Sequence, residues 1–173
     1  MTRALAVGVL AVLVILVWLA MLAGWRHRAA RQTRLLGLAT LPAAPTEPGA
    51  PLTEDTSGVY VSTTTAGNWL DRITAYGLGA RSTATMGVTT SGVSWLRQGA
   101  PDVFAPAASV VGARRCDGIA GKVVPPGGIV VVTWRLGATR VDTGFRPGTP
   151  AEADRLVAAV GRLAAAAATG GAA

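Results

Sequence analysis

The 173-residue sequence contains one cysteine, one histidine and one lysine. The single cysteine, Cys116, excludes an internal disulfide and a cysteine-based metal cluster. The single histidine, His27, has no second histidine with which to share a metal ion, and residues 58–173 contain none for a Ser–His–Asp or Cys–His arrangement. The nine acidic residues are scattered, without the pairing that general acid–base catalysis requires. The sequence therefore predicts no enzymatic activity, no cofactor and no metal site.

Phosphate-binding and nucleic-acid-binding patterns are also missing. Gly121 and Lys122 are followed by Val123, and the glycine that a phosphate-binding loop needs five positions earlier is Cys116. The net charge of +7 owes much to residues 1–34, which hold five arginines and no acid. The rest of the chain has no basic run interleaved with aromatic residues, so we expect no nucleic-acid partner.

One long apolar stretch, residues 4–25, contains no charged residue. As a helix it extends about 33 Å, close to the hydrocarbon thickness of a bilayer. A cleaved signal peptide is the alternative, but its apolar core is shorter, with a small-residue cleavage site after it. Here Trp25 and a basic segment follow. The sequence therefore predicts a retained single transmembrane helix.

The charges on either side of this stretch differ. Only Arg3 precedes it, whereas four arginines follow it: Arg26, Arg28, Arg31 and Arg34. Arginine-rich flanks of short loops remain in the cytoplasm. We therefore expect a plasma-membrane protein with its N-terminus outside and its C-terminal domain in the cytoplasm. The four arginines then determine topology and contact anionic headgroups.

The remaining chain divides by composition. Residues 26–57 are a basic juxtamembrane segment followed by a proline-rich linker. The four prolines of the linker prevent it from forming a helix or a central strand. Residues 58–168 hold short β-branched runs separated by glycine and proline turns, which predicts about seven strands. The run at residues 127–134, GGIVVVTW, indicates a strand that is buried on both faces or lies at the centre of a sheet. Residues 169–173 are a flexible tail, and residues 1–25 are the anchor.

The residues around Thr149 have the features of a helix N-terminus, which predicts a C-terminal helix. Thr149 is placed to cap it, Pro150 suits its first position, and Glu152 completes a capping box. Apolar residues then recur at helical spacing, which predicts a helix that covers the sheet. Apolar neighbours also predict that Trp69, Trp95 and Trp134 lie in the core, with a partner-binding role for one of them as the alternative.

This order of elements resembles a pleckstrin-homology-like (PH-like) domain. It implies about seven antiparallel strands in two near-orthogonal sheets, capped by a C-terminal amphipathic helix. The chain is also similar to small actinobacterial membrane proteins with a bacterial PH-like domain, often encoded beside pyrimidine-synthesis genes and labelled PH-domain or export/transporter-like proteins. The matching segments are GVYVSTTTAGNWLDRITAYGLGARSTATMGVT, FAPAASVVGARR, DGIAGKVVPPGGIVVVTW and DTGFR. This resemblance implies a fold and a location but no activity.

Two functions of different class fit these features. The first is a membrane-anchored, non-enzymatic adaptor whose PH-like domain binds a protein partner. The second is a module that binds anionic phospholipid through the basic, glycine-rich stretch at residues 114–122, where Arg114, Arg115 and Lys122 are the candidate contacts. An accessory subunit of an exporter is a weaker interpretation, because one helix provides no translocation path.

Overall fold

The computed structural model describes residues 2–36, 41–123 and 127–170. The chain begins with helix α1 (Thr2–Leu36), in which the stretch Val7–Gly24 has a mean hydropathy of 2.8 and no buried residue. By length and composition this stretch can cross a membrane, a criterion that an N-terminal signal sequence also meets. The helix continues beyond Trp25 through the basic segment, which is rich in the good helix formers alanine, arginine and leucine.

In the described residues, the domain that follows contains nine strands, two short 3₁₀ helices and a C-terminal helix. Seven strands form an antiparallel sheet in the order β4-β3-β2-β1-β9-β8-β5, and β6 pairs with β7 in a separate hairpin. The elements are β1 (Thr56–Thr65), β2 (Ser82–Thr89), β3 (Gly92–Arg97), β4 (Val103–Pro106), β5 (Val110–Cys116), β6 (Gly118–Ile119), β7 (Lys122–Val123), β8 (Ile129–Leu136), β9 (Thr139–Pro147) and α2 (Pro150–Gly170). This arrangement confirms the predicted seven-stranded antiparallel β region followed by a C-terminal helix, and it is consistent with a PH-like fold.

Strand β1 joins the two halves of the sheet. Its first residues, from Thr56 to Tyr60, pair with β2, and most of its length, from Gly58 to Thr65, pairs with β9. The β1–β9 register shifts between Tyr60 and Ser62, where the extra residue Val61 forms a bulge. A bulge bends a strand and increases its twist, which turns one half of the sheet relative to the other.

Helix α2 begins as the capping box predicts. The Glu152 amide donates to Thr149 Oγ1 at 3.3 Å, and the Thr149 amide donates to Glu152 Oε2 at 2.8 Å. The apolar stripe of α2 is buried against the sheet, with Leu156 and Val160 fully covered. Full burial of one such side chain contributes about 1.5–3 kcal/mol relative to exposure, so this helix closes the main core.

Strand β8 is buried on both faces, as its continuous apolar sequence predicts. Val130, Val132 and Trp134 lie in the main core. Ile129 and Val131 lie in a second cluster, with Val61 and Ile119. The second cluster exists because the β6–β7 hairpin covers the outer face of the sheet.

The proline-rich segment before β1 packs against the domain. The Leu52 amide donates to Val88 O at 2.8 Å, and the Gly49 amide donates to Ser91 Oγ at 2.8 Å. Leu41 and Leu52 also contact the main core. Residues 41–55 are therefore extended, as the prolines predict, but they form part of the domain surface, and β1 begins at Thr56.

Candidate functional site

The loop between β1 and β2, residues 66–81, carries two exposed apolar side chains. Trp69 is 49% exposed and Leu70 is 63% exposed. The prediction that Trp69 is a core residue is therefore wrong, whereas Trp95 and Trp134 are fully buried, as predicted. The reason is the local backbone, which folds into a turn that directs these two side chains away from the core.

Hydrogen bonds within the loop hold that turn. The Asn68 amide donates to Thr65 O at 3.0 Å, and Asn68 Oδ1 accepts the Leu70 amide at 3.3 Å. An asparagine side chain that bonds to the backbone two residues on is a standard turn-forming arrangement. Thr65 Oγ1 also donates to Asp71 Oδ2 at 2.7 Å. The turn is thus fixed on both sides of Trp69.

The β6–β7 hairpin fixes the same loop from outside. The Ala120 amide donates to Trp69 O at 2.7 Å, and the Arg72 guanidinium donates to Ala120 O at 3.0 Å. Ala120 has a φ of +53°, an unfavourable value for alanine that the type of turn requires. Ile119 anchors the hairpin by packing over Gly144, where a Cβ atom would lie 2.7 Å from Ile119 Cγ2.

A groove of about 450 Å³ lies beside Trp69. We call it the Trp69 groove, and its lining residues are Gly67, Trp69, Arg114, Cys116, Asp117, Gly118 and Asp142. Cys116 ends β5 and donates from Sγ to Gly118 O at 3.1 Å. The groove therefore combines an exposed indole ring with one arginine and two carboxylates.

Asp142 forms the polar centre of the Trp69 groove. Its carboxylate accepts hydrogen bonds from Arg114 Nη2 at 2.8 Å, from Thr133 Oγ1 at 2.6 Å and from the Gly67 amide at 3.5 Å. Burial alone would raise the pKa of Asp142, but the bonds from Arg114 and Thr133 outweigh burial and hold this pKa below its ordinary value. The same bond raises the pKa of Arg114. Both groups are therefore charged at neutral pH.

The structure places the sequence-predicted basic stretch on β5 and the β6–β7 hairpin, instead of the open loop that its glycines suggested. Arg114 bonds to Asp142, and Arg115 forms an ion pair with Asp154 at 2.8 Å while donating to Gly127 O. The two guanidiniums thus contact different carboxylates. The Lys122 side chain lies outside the described residues, and anion contact at these three positions stays a prediction.

The other sequence-predicted contacts are on α1. Arg26, Arg28, Arg31 and Arg34 belong to this helix, but their side chains lie outside the described residues. Their roles in topology and headgroup contact stay predictions. Sequence reasoning did not single out Leu70 or Asp142.

A second groove, of about 500 Å³, lies between the proline-rich segment and strands β3 and β4. Its lining includes Leu41, Tyr76, Leu96 and Phe104. Of these, Leu96 is 53% exposed. Its walls are mostly apolar, and among the described residues no ion pair involves its lining, so it offers less chemical specificity than the Trp69 groove.

One comparison places the chain in a family of known proteins. Residues 38–161 match the sequence model of a family described as bacterial PH domain-like. The match includes the proline-rich segment that packs on the domain, the whole sheet and the first half of α2. A comparison with curated protein sequences found no match.

Proposed function

Because the chain belongs to the bacterial PH domain-like family, we propose that it is a membrane-anchored adaptor. In this proposal α1 is a single span of the plasma membrane, and the PH-like domain binds a protein partner and catalyses no reaction. The N-terminus lies outside and the domain lies in the cytoplasm, an orientation supported by the arginines that follow the apolar stretch. The actinobacterial and pyrimidine-gene context of similar proteins carries no part of the proposal.

The observation that carries this proposal is the fixed presentation of Trp69 and Leu70. Their backbone is held by turn hydrogen bonds and by the bond from Ala120, while their side chains face solvent. Tryptophan is enriched among the residues that dominate protein–protein binding energy. A backbone segment already held in place loses little conformational entropy on binding. Exposed apolar side chains on such a segment suit a protein partner.

Binding of anionic phospholipid at Arg114, Arg115 and Lys122 is supported less well. Arg114 already contacts Asp142, and Arg115 already contacts Asp154. A phosphate group would compete with both carboxylates, and Asp117 adds negative charge to the same groove. These contacts reduce the attraction that two free arginines would exert on an anionic headgroup.

Proximity labelling in native membranes tests the adaptor proposal. The full-length chain, with a cytosolic biotin ligase fused after its last residue, is compared with the double variant Trp69→Ser/Leu70→Ser. We expect at least one neighbouring protein to lose labelling severalfold in the variant, because the apolar contact is removed while the anchor and the sheet remain.

Leu96→Ser is the matched control, because Leu96 is another exposed leucine on the same domain. It should retain the labelled neighbours at equal amounts of protein in the membrane. An identical set of neighbours for wild type and for Trp69→Ser/Leu70→Ser contradicts the proposal. A wild-type chain that labels no cytosolic protein contradicts the cytoplasmic orientation.

A further inference from the structure

Two arginines face each other at the end of the β8–β9 hairpin. Arg135 on β8 is in register with Arg140 on β9, and both side chains are exposed. Residues directly opposite on antiparallel strands have Cβ atoms about 4.5–5.5 Å apart, and like charges at such positions are destabilising. Within the part of the chain that the structure describes, neither has a carboxylate partner. We call these two residues the arginine pair.

The arginine pair is continuous with the Trp69 groove. Arg140 lies two residues before Asp142 on β9, so both point to the same face of the sheet about 7 Å apart. Asp142 lines the groove. The Ala66 amide, at the start of the loop that carries Trp69, donates to Arg140 O at 3.0 Å. One surface therefore contains two unpaired positive charges and, in the adjoining groove, the exposed side chain of Trp69, which Leu70 follows in the chain.

We propose that the arginine pair binds an acidic segment of the protein partner. A glutamate or aspartate carboxylate lies between the guanidiniums of Arg135 and Arg140, and an apolar side chain of the same segment packs on Trp69 and Leu70. This inference rests on the proposed adaptor function and names the chemistry of its partner. Its basis is charge complementarity, since a carboxylate relieves the repulsion within the pair and forms charge-assisted hydrogen bonds with both arginines.

The distribution of charge favours a protein segment over a lipid surface. Asp117 and Asp142 line the groove next to the arginine pair. An anionic bilayer presents negative charge to the whole surface and so meets these carboxylates as well. A polypeptide can place its carboxylate at the arginine pair and an apolar residue at the groove. The alternation of charge and apolar surface thus matches a peptide better than a layer of headgroups.

Peptide binding to the full-length chain in nanodiscs of zwitterionic lipid tests this inference. The probe is a short fluorescent peptide of alternating glutamate and leucine, and its control carries glutamine in place of each glutamate. We expect the glutamate peptide to bind the wild type, and its affinity to fall on the order of tenfold or more in Arg135→Gln/Arg140→Gln. The binding should weaken as salt is raised.

The matched control variant is Arg146→Gln/Arg155→Gln, which removes the same charge from other exposed positions. Arg146 lies six residues beyond Arg140 on β9, about 20 Å away. This variant should bind the glutamate peptide as the wild type does. Equal affinity in Arg135→Gln/Arg140→Gln, equal binding of the glutamine peptide, or no binding at all overturns the inference.

Two further comparisons separate this inference from its alternatives. Co-sedimentation with anionic phospholipid vesicles that depends on Arg135 and Arg140, without peptide binding, overturns it in favour of a lipid surface. If the glutamate peptide fails to bind but Trp69→Ser/Leu70→Ser still loses its neighbouring proteins in native membranes, the partner is not acidic and the adaptor proposal stands. If both experiments fail, the adaptor proposal fails with it.

Discussion

Replacement of Arg97 by methionine is expected to lower the free energy of unfolding by about 3 kcal/mol or more. Arg97 ends β3 and is 6% exposed. Its Nη2 donates to Gly77 O at 3.1 Å and to Ala80 O at 2.6 Å. Its Nη1 donates to Pro101 O at 3.1 Å. Methionine fills similar space but leaves these three carbonyl groups without this donor.

The position of Arg97 explains why the effect extends beyond one contact. Its guanidinium lies 4.0 Å from the centre of the Tyr60 ring, and its Nε donates to Ser82 Oγ at 3.0 Å. Burial lowers the pKa of Arg97, and burial raises the pKa of Tyr60 to about 12, so the phenol stays neutral beneath the cation. Arg97 therefore connects β3 with the β1–β2 loop and with the turn before β4.

Denaturant unfolding of the full-length chain, followed by tryptophan fluorescence, measures this effect. The matched control is Arg146→Met, because Arg146 is exposed and should change stability by no more than about 0.5 kcal/mol. A loss in Arg97→Met no larger than in Arg146→Met would show that the buried hydrogen bonds do not stabilise the fold.

The second large effect is expected for Asp142→Asn, with a loss of about 2 kcal/mol at neutral pH. Asparagine keeps the shape of aspartate but removes the charge that Arg114 contacts and one of the acceptors that Arg114, Thr133 and Gly67 share. Because Gly67 is the second residue of the loop that carries Trp69, we also expect this loop to become more mobile.

The effect of Asp142→Asn should depend on pH with a definite sign. The pKa of Asp142 in the folded chain lies below its ordinary value of 3.8. The stabilisation by the carboxylate is therefore fully present above 3.8 and is lost as the pH falls through the lower, folded-state pKa. The difference in stability between wild type and Asp142→Asn should shrink in the same range.

Unfolding measurements at neutral pH and below pH 3.8 test this prediction. Asp154→Asn is the control, since Asp154 also pairs with an arginine but is 65% exposed, and exposed ion pairs contribute about 0–1 kcal/mol. If Asp142→Asn is no more destabilising than Asp154→Asn, or if its effect is the same in acid, Asp142 does not act as a buried charged acceptor.

Much of the fold follows from local patterns in the sequence. The capping box at Thr149 predicts the start of α2. The run Thr90-Ser91-Gly92 is typical of a hairpin turn and lies where β2 and β3 pair. The continuous apolar run of β8 predicts burial on both faces. These features depend on neighbouring residues, which is why the sequence suffices for them.

The features that the sequence did not reveal depend on long-range contacts. The turn that exposes Trp69 is held by local hydrogen bonds and also by a bond from Ala120, which lies far along the chain and belongs to a hairpin of two-residue strands. Such short strands have no periodicity to detect. Prolines are equally compatible with a free linker and with a segment packed on the domain. The sequence therefore does not predict the hydrogen bond from Leu52 to Val88.

The candidate site also combines local features that the sequence shows with long-range contacts that it does not. Arg135 and Arg140 lie on either side of a turn in the sequence, but only the strand register shows that they lie opposite each other. It also gives Arg114 and Arg115 as a basic cluster. Their ion pairs with Asp142 and Asp154 become visible only when β9 and α2 are folded against β5.

The adaptor proposal is tested most directly by photocrosslinking at position 70 in native membranes. A photoreactive residue replaces Leu70 in the full-length chain, and the same residue at Leu96 serves as the control, because both side chains are exposed. We expect a crosslink to a specific protein from position 70 that is missing from position 96. Crosslinks from position 70 to lipid alone, or the same products from both positions, would contradict it.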